Sequence, residues 1–156
     1  MKKTLGFTLV ELMVALAVGI IILGIGIPAF TGLMGSNRAT GYANEFVSAL
    51  RLARSEAVKR GVGVKVCAEI ACSGSDWQNG WLIITDAGTL VRVWQEPEGN
   101  VTFKDAPAVI RFLPSGELSG QVADFSFQLE GCSGEQARTI SISQIGRAEA
   151  THSACF

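Results

Sequence analysis

Residues 7–30 read FTLVELMVALAVGIIILGIGIPAF. Glu11 is the only ionisable side chain in this run, and from Leu12 to Phe30 there is no charge at all. At 1.5 Å of rise per residue, a helix of this length covers about the 30 Å hydrocarbon core of a bilayer, so the stretch is a candidate membrane span. Ahead of it stands MKKTLG, residues 1–6, with Lys2 and Lys3 on the side where cytoplasmic cations belong. Glu11 does not fit a plain anchor, because a carboxylate at membrane depth costs roughly 2.5–3.5 kcal/mol. A secretory signal peptide would have a shorter apolar core followed by a small-residue cleavage site, and the residues around Ala29 give no A-x-A pattern. A cut between Gly6 and Phe7 accounts for the acid: the new amine of Phe7 lies one helical turn from Glu11 and supplies a cationic partner.

Working outward, the chain has 156 residues, 48% hydrophobic and 17% charged, with a formal net charge of −1. That length suits one domain of ordinary size, and the apolar content excludes a disordered chain. Near-neutrality argues against a nucleic-acid-coating protein. Gly19, Gly24 and Gly26 each disfavour a helix interior, and Pro28 removes a backbone donor. Such residues suit a membrane helix whose neighbours approach closely or which must bend. From Thr31 to Arg60 the pattern becomes amphipathic, with Ala43, Phe46, Leu50, Ala53 and Ala57 on one stripe and Val47 and Val58 widening it. Glu56 stands one turn before Arg60, and Gly61 supplies the stop after Lys59 and Arg60. A helix over 7–60 would run roughly 80 Å, too long for a domain of this size to bury, so its first half belongs in lipid or in an assembly.

After Gly61 the texture is that of short strands. Val62–Ala68, Trp81–Thr85, Leu90–Trp94, Val101–Phe103, Val109–Leu113, Phe125–Leu129 and Thr139–Ile145 are separated by Gly, Pro, Ser and Asp. Seven such runs predict an antiparallel head covered by the Ala43–Ala57 face, hence an α+β fold. Trp81 is expected between helix and sheet, and Trp77 is expected to brace a loop rather than to form a ligand platform. Cys67, Cys72, Cys132 and Cys155 all lie in the head without a C-x2-C pair, which favours two disulfides over a metal site. Three pairings are open. The preferred one joins Cys67 to Cys72 across a tight loop and Cys132 to Cys155 across the tail.

GFTLVELMVALA resembles the processing site of type IV prepilins and pseudopilins: a basic leader, Gly6, Phe7, and Glu11 four positions on. CSGSDWQNGWLIITD, from Cys72, and the stem segment LRLARSEAVKRG are similar to the FimT/FimU (GspH-like) minor pilins. The resemblance covers residues 1 to about 86 and is loose beyond. It implies a leader at 1–6, an assembly helix at 7–30, a stem at 31–60 and a periplasmic head at 61–156. It further implies cleavage after Gly6 by a prepilin peptidase, methylation of the Phe7 amine, and a role for Glu11 in registering subunits against one another. Pro28 matches a proline common in pilin stems. The expected life history is single-pass insertion in the inner membrane, followed by incorporation near the tip of a cell-surface pilus. The partners would be other minor pilins and the major pilin, and the role would be to help initiate assembly. The alternatives are a DNA-binding minor pilin for natural transformation and a type II secretion pseudopilin.

No enzymatic activity or cofactor is expected. His152 is the only histidine, Asp76, Asp86 and Asp105 lie in separate turns, and no phosphate-loop, dinucleotide or H-E-x-x-H motif is present. Some FimT-like pilins are linked to DNA uptake through a Gly-Arg-x-Arg pattern, and here the corresponding stretch is Gly146-Arg147-Ala148-Glu149. The candidate DNA contacts are Arg138, Arg147 and His152. Residues 61–156 carry six cations against eleven acids, a net −5, which disfavours phosphate binding. Asn100-Val101-Thr102 matches a glycosylation sequon.

Overall fold

In the computed structural model the described residues are 7–69, 71–97, 99–121 and 124–156, with the side chains of 25–31 excepted. The leader, including Gly6, and the side chain of Pro28 therefore lie outside the described residues. The chain divides into two units, Met1–Met34 and Gly35–Phe156, and helix α1 (Leu9–Arg60) contributes to both.

In the first unit the helix starts two residues later than the sequence predicts. Thr8 precedes it, its Oγ1 accepting from the Glu11 N–H at 3.2 Å and its carbonyl accepting from the Leu12 N–H at 3.2 Å. This is N-capping by a threonine, which satisfies one of the first-turn donors. Phe7 is 80% exposed and Ile20 70%, so these apolar side chains stand largely in the open. Among the described residues no helix is long and apolar enough to cross a membrane; the run expected to do so continues into 25–31.

In the second unit, residues 35–60 of α1 cover a two-sheet head. The strands are β1 (Val64–Cys67), β2 (Trp81–Thr85), β3 (Leu90–Trp94), β4 (Val101–Lys104), β5 (Val109–Phe112), β6 (Phe125–Leu129), β7 (Ala137–Ile142) and β8 (Ala148–Ser153). They form two four-stranded antiparallel sheets, ordered β3-β2-β1-β5 and β4-β6-β7-β8. Ala43, Phe46, Leu50, Ala53 and Ala57 are buried in one cluster with Val64, Val66, Ile83 and Phe112 of the first sheet and Phe125, Phe127, Ile140 and Ile142 of the second. One helix face thus closes both sheets. Phe46 meets Trp77, Trp81 and Phe125 edge-on at 5.4, 4.9 and 5.4 Å between centroids, geometry favoured by the ring quadrupoles. Trp77 donates from Nε1 to the Pro107 carbonyl at 2.8 Å, which pins the loop ahead of β2. Val58, expected to widen the buried stripe, is instead 55% exposed, because it lies outside the core cluster, its Cγ2 beside Gly116 in the turn after β5.

The helix ends where Gly61, at φ 65°, donates to the Ala57 carbonyl. Disulfides join Cys67 to Cys72 and Cys132 to Cys155. The tail is also gripped by Gln128, whose amide accepts from the Phe156 N–H at 2.8 Å and donates to its carbonyl at 2.7 Å.

Candidate functional site

Glu11 sits in the first turn of α1 with its residue exposed, and Phe7 precedes the helix, likewise exposed. Thr8-Leu9-Val10-Glu11 has the spacing of a capping box, a signal legible in the sequence that assigns both residues to the helix start as well. An acid there also meets the positive end of the helix dipole.

The candidate DNA contacts do not form one site. Arg138 is 2% exposed. Its Nη2 donates to the Ser36 carbonyl and Ser36 Oγ, both at 3.1 Å, and to Thr40 Oγ1 at 2.8 Å. Its Nη1 donates to the Gln136 and Ala137 carbonyls, each at 2.9 Å, and to the Glu135 carbonyl at 3.4 Å. No carboxylate joins the network, and burial pushes the guanidinium pKa down. Arg138 therefore cannot offer a free fork to a phosphate; it clamps β7 to the stem. Two-residue periodicity puts it on the same face as Ile140 and Ile142, the signal by which its inward direction could have been read.

His152 pairs with Arg138 across β7 and β8, and its Nδ1 lies 3.3 Å from the Glu135 carbonyl. Arg147 is at the other end of the same hairpin, one residue beyond the Ile142–Ala148 pair, and Ala148 alone is four residues, about 13 Å, along β8 from His152. Its Nη2 lies 3.6 Å from Glu149 Oε2, and both side chains are more than half exposed. The acid that breaks the Gly-Arg-x-Arg pattern thus faces the arginine that keeps it.

The remaining polar groups are structural in their geometry. Arg111 of β5 forks onto Asp86, with Lys65 of β1 3.6 Å from the same carboxylate and Ser119 Oγ accepting at 3.2 Å from Arg111 Nη1. The Arg111 hydrogen bond holds the Asp86 carboxyl below the usual range, against a smaller opposing effect of burial. Glu56 is lowered in the same way by Arg60. Asn100 of the sequon donates to Glu130 Oε2 at 2.6 Å. Arg54, not singled out by its sequence context, donates from Nε to the Gly116 carbonyl at 2.9 Å and ties the stem to the turn after β5. Among the described residues no group of His, Cys, Asp and Glu is arranged to hold a metal ion.

The family model described as "Type II transport protein GspH" matches residues 42–146, and that described as "Prokaryotic N-terminal methylation motif" matches residues 1–27. Among solved structures, the type IV minor pilin FimU of Pseudomonas aeruginosa is similar in two crystal forms at 25% identity. One has a TM-score of 0.60, covering 75% of this chain and 99% of that one; the other has 0.62, covering 77% and 96%. The minor pseudopilin EpsH from the type 2 secretion system of Vibrio cholerae is similar at 18% identity and a TM-score of 0.49, covering 74% of this chain and 97% of that one. No curated protein matches.

Proposed function

Since the chain belongs to the GspH family of type IV minor pilins and pseudopilins, whose members are structural subunits rather than enzymes, we propose that it is a minor pilin that helps initiate assembly of a type IV pilus. A prepilin peptidase cleaves after Gly6 and the Phe7 amine is methylated. Residues 7–30 hold the subunit in the inner membrane with the head in the periplasm, until the subunit joins other minor pilins and the major pilin near the fibre tip. The observation that carries this reading is the join at Gly6-Phe7, within the matched methylation motif, followed by Glu11 and an uninterrupted uncharged run.

The physical logic is one of exchange. Side chains such as Leu9, Met13 and Ile20 are more than half exposed. They are satisfied first by lipid and then by neighbouring helices. Small residues at Gly19, Gly24 and Gly26 permit the close approach on which helix association in lipid depends. Glu11 gains a counter-charge only from a terminal ammonium, its own or a neighbour's, and in a medium without water that pairing selects one register. Pro28 adds a site where the helix bends or unwinds as it leaves lipid.

Glu11→Ala should leave insertion intact and abolish or strongly reduce incorporation, read by membrane fractionation and by immunoblot of sheared filaments. Mass spectrometry of filament-derived protein should find Phe7 as the methylated first residue; a chain that retains Met1–Gly6 in intact filaments overturns the proposal. The pseudopilin reading is supported by the match to the type II transport protein family GspH, the minor-pilin reading by the similarity to FimU. A deletion strain scored for piliation and for secretion separates them.

A further inference from the structure

Past Leu50 the outer face of α1 carries Arg51, Ser55 and Lys59 at steps of four, all exposed. Residues at that spacing lie one above another on a helix. With Arg54 and Val58 they line an open depression of about 570 Å³ in which no carboxylate takes part. Among the described residues, Arg51 and Lys59 form no ion pair and no hydrogen bond through their side chains. The acids of the surrounding segments are otherwise engaged: Glu56 with Arg60 and, through space and least, with Lys59, Glu117 with Ser115 Oγ, and Glu149 with Arg147. In the middle of the cations lies Val58, more than half exposed where the rest of the stem's apolar stripe is buried. A cationic strip with an apolar centre is thus set beside a head whose own net charge is −5.

We infer that Arg51, Ser55, Lys59 and Val58 form the docking surface for the acidic face of an adjacent pilin-type subunit, an inference that rests on the filament reading above. Complementary charge favours an acidic partner and sets its register. The apolar centre favours a protein over a nucleic acid, since a phosphodiester backbone meets the cations but leaves the isopropyl group uncovered. Carboxylates on the partner lie over Arg51 and Lys59, and an apolar side chain between them covers Val58.

The test places a photo-crosslinking residue at position 55 of the full chain in its own cells. Irradiation should give an adduct with a pilin-type protein, mapped to a segment bearing Asp or Glu. Arg51→Glu with Lys59→Glu should lower its yield about tenfold or more, the size expected when like charges are brought together. Arg51→Gln with Lys59→Gln should lower it less, at unchanged abundance of the chain. Loss of the adduct with salt should be graded. The inference is overturned if a chain that enters filaments gives no adduct at position 55, if the adduct ignores charge reversal, or if it is a nucleic acid. A charge-sensitive protein adduct formed in membranes by a chain that never enters filaments would keep this surface and remove the pilus reading.

Discussion

Arg138 shows how a single side chain can change meaning between sequence and structure. Read along the chain it is a cation near a motif; in the fold it is a buried hub that ties Ser36 and Thr40 of the stem to the backbone before and within β7. Arg138→Met should therefore destabilise the chain by about 2–4 kcal/mol, because one buried acceptor, the Ala137 carbonyl, and several part-buried ones lose their donor together, a stranded buried group alone costing about 1–3 kcal/mol. Chemical denaturation of the full chain in detergent checks this. Arg138→Lys should recover only part of the loss, since an ammonium cannot reproduce the planar fork. Asp86 gives a pH signature. Arg111 depresses its folded-state pKa, so its stabilisation is full above the unfolded value of about 3.9 and is lost as pH falls through that value and below. The partly exposed pair contributes about 1 kcal/mol or less. Asp86→Asn should thus be less stable than the parent at pH 7, with the gap narrowing as pH falls below about 3.9.

At the scale of elements, the stem and seven of the strands were legible because their burial is periodic. Phe46, Leu50, Ala53 and Ala57 announce one helix face, and VKVC, WLIIT and FSFQL alternate or run apolar as buried strands do. The eighth strand, AEATHS, was not legible. Only Ala148 of it is buried, and a sheet edge pairing through its backbone alone writes no hydrophobic pattern. Nor could the sequence show that the strands divide into two sheets, since that is decided by register between distant segments. Val58 misled for a related reason: it continues the helical period, but its side chain lies beside the turn at Gly116 and outside the core cluster. The turn into β2 depends on Gly80, whose φ of 99° is closed to side chains and whose missing Cβ would strike the Trp94 carbonyl. Gly80→Ala should cost about 1–3 kcal/mol in denaturant titrations from backbone strain alone, and more from the clash.

Over the whole molecule, two kinds of cohesion coexist. The head unit is held by its own core and by two disulfides, while large apolar side chains of residues 7–23, such as Leu9, Met13 and Ile20, are more than half exposed. Removing the longer bridge with Cys132→Ser and Cys155→Ser should cost about 3 kcal/mol under the chain-entropy model and lower the midpoint of denaturation, leaving membrane insertion unchanged. Trp77, Trp81 and Trp94 are each less than a tenth exposed, and the last two stack at 6.3 Å with 22° between their planes. Indoles that close couple their electronic transitions, so the native head carries an intrinsic exciton couplet in circular dichroism. Loss of that couplet, recorded while far-ultraviolet helicity persists, would time the moment at which β2 and β3 lose their pairing, with no label attached.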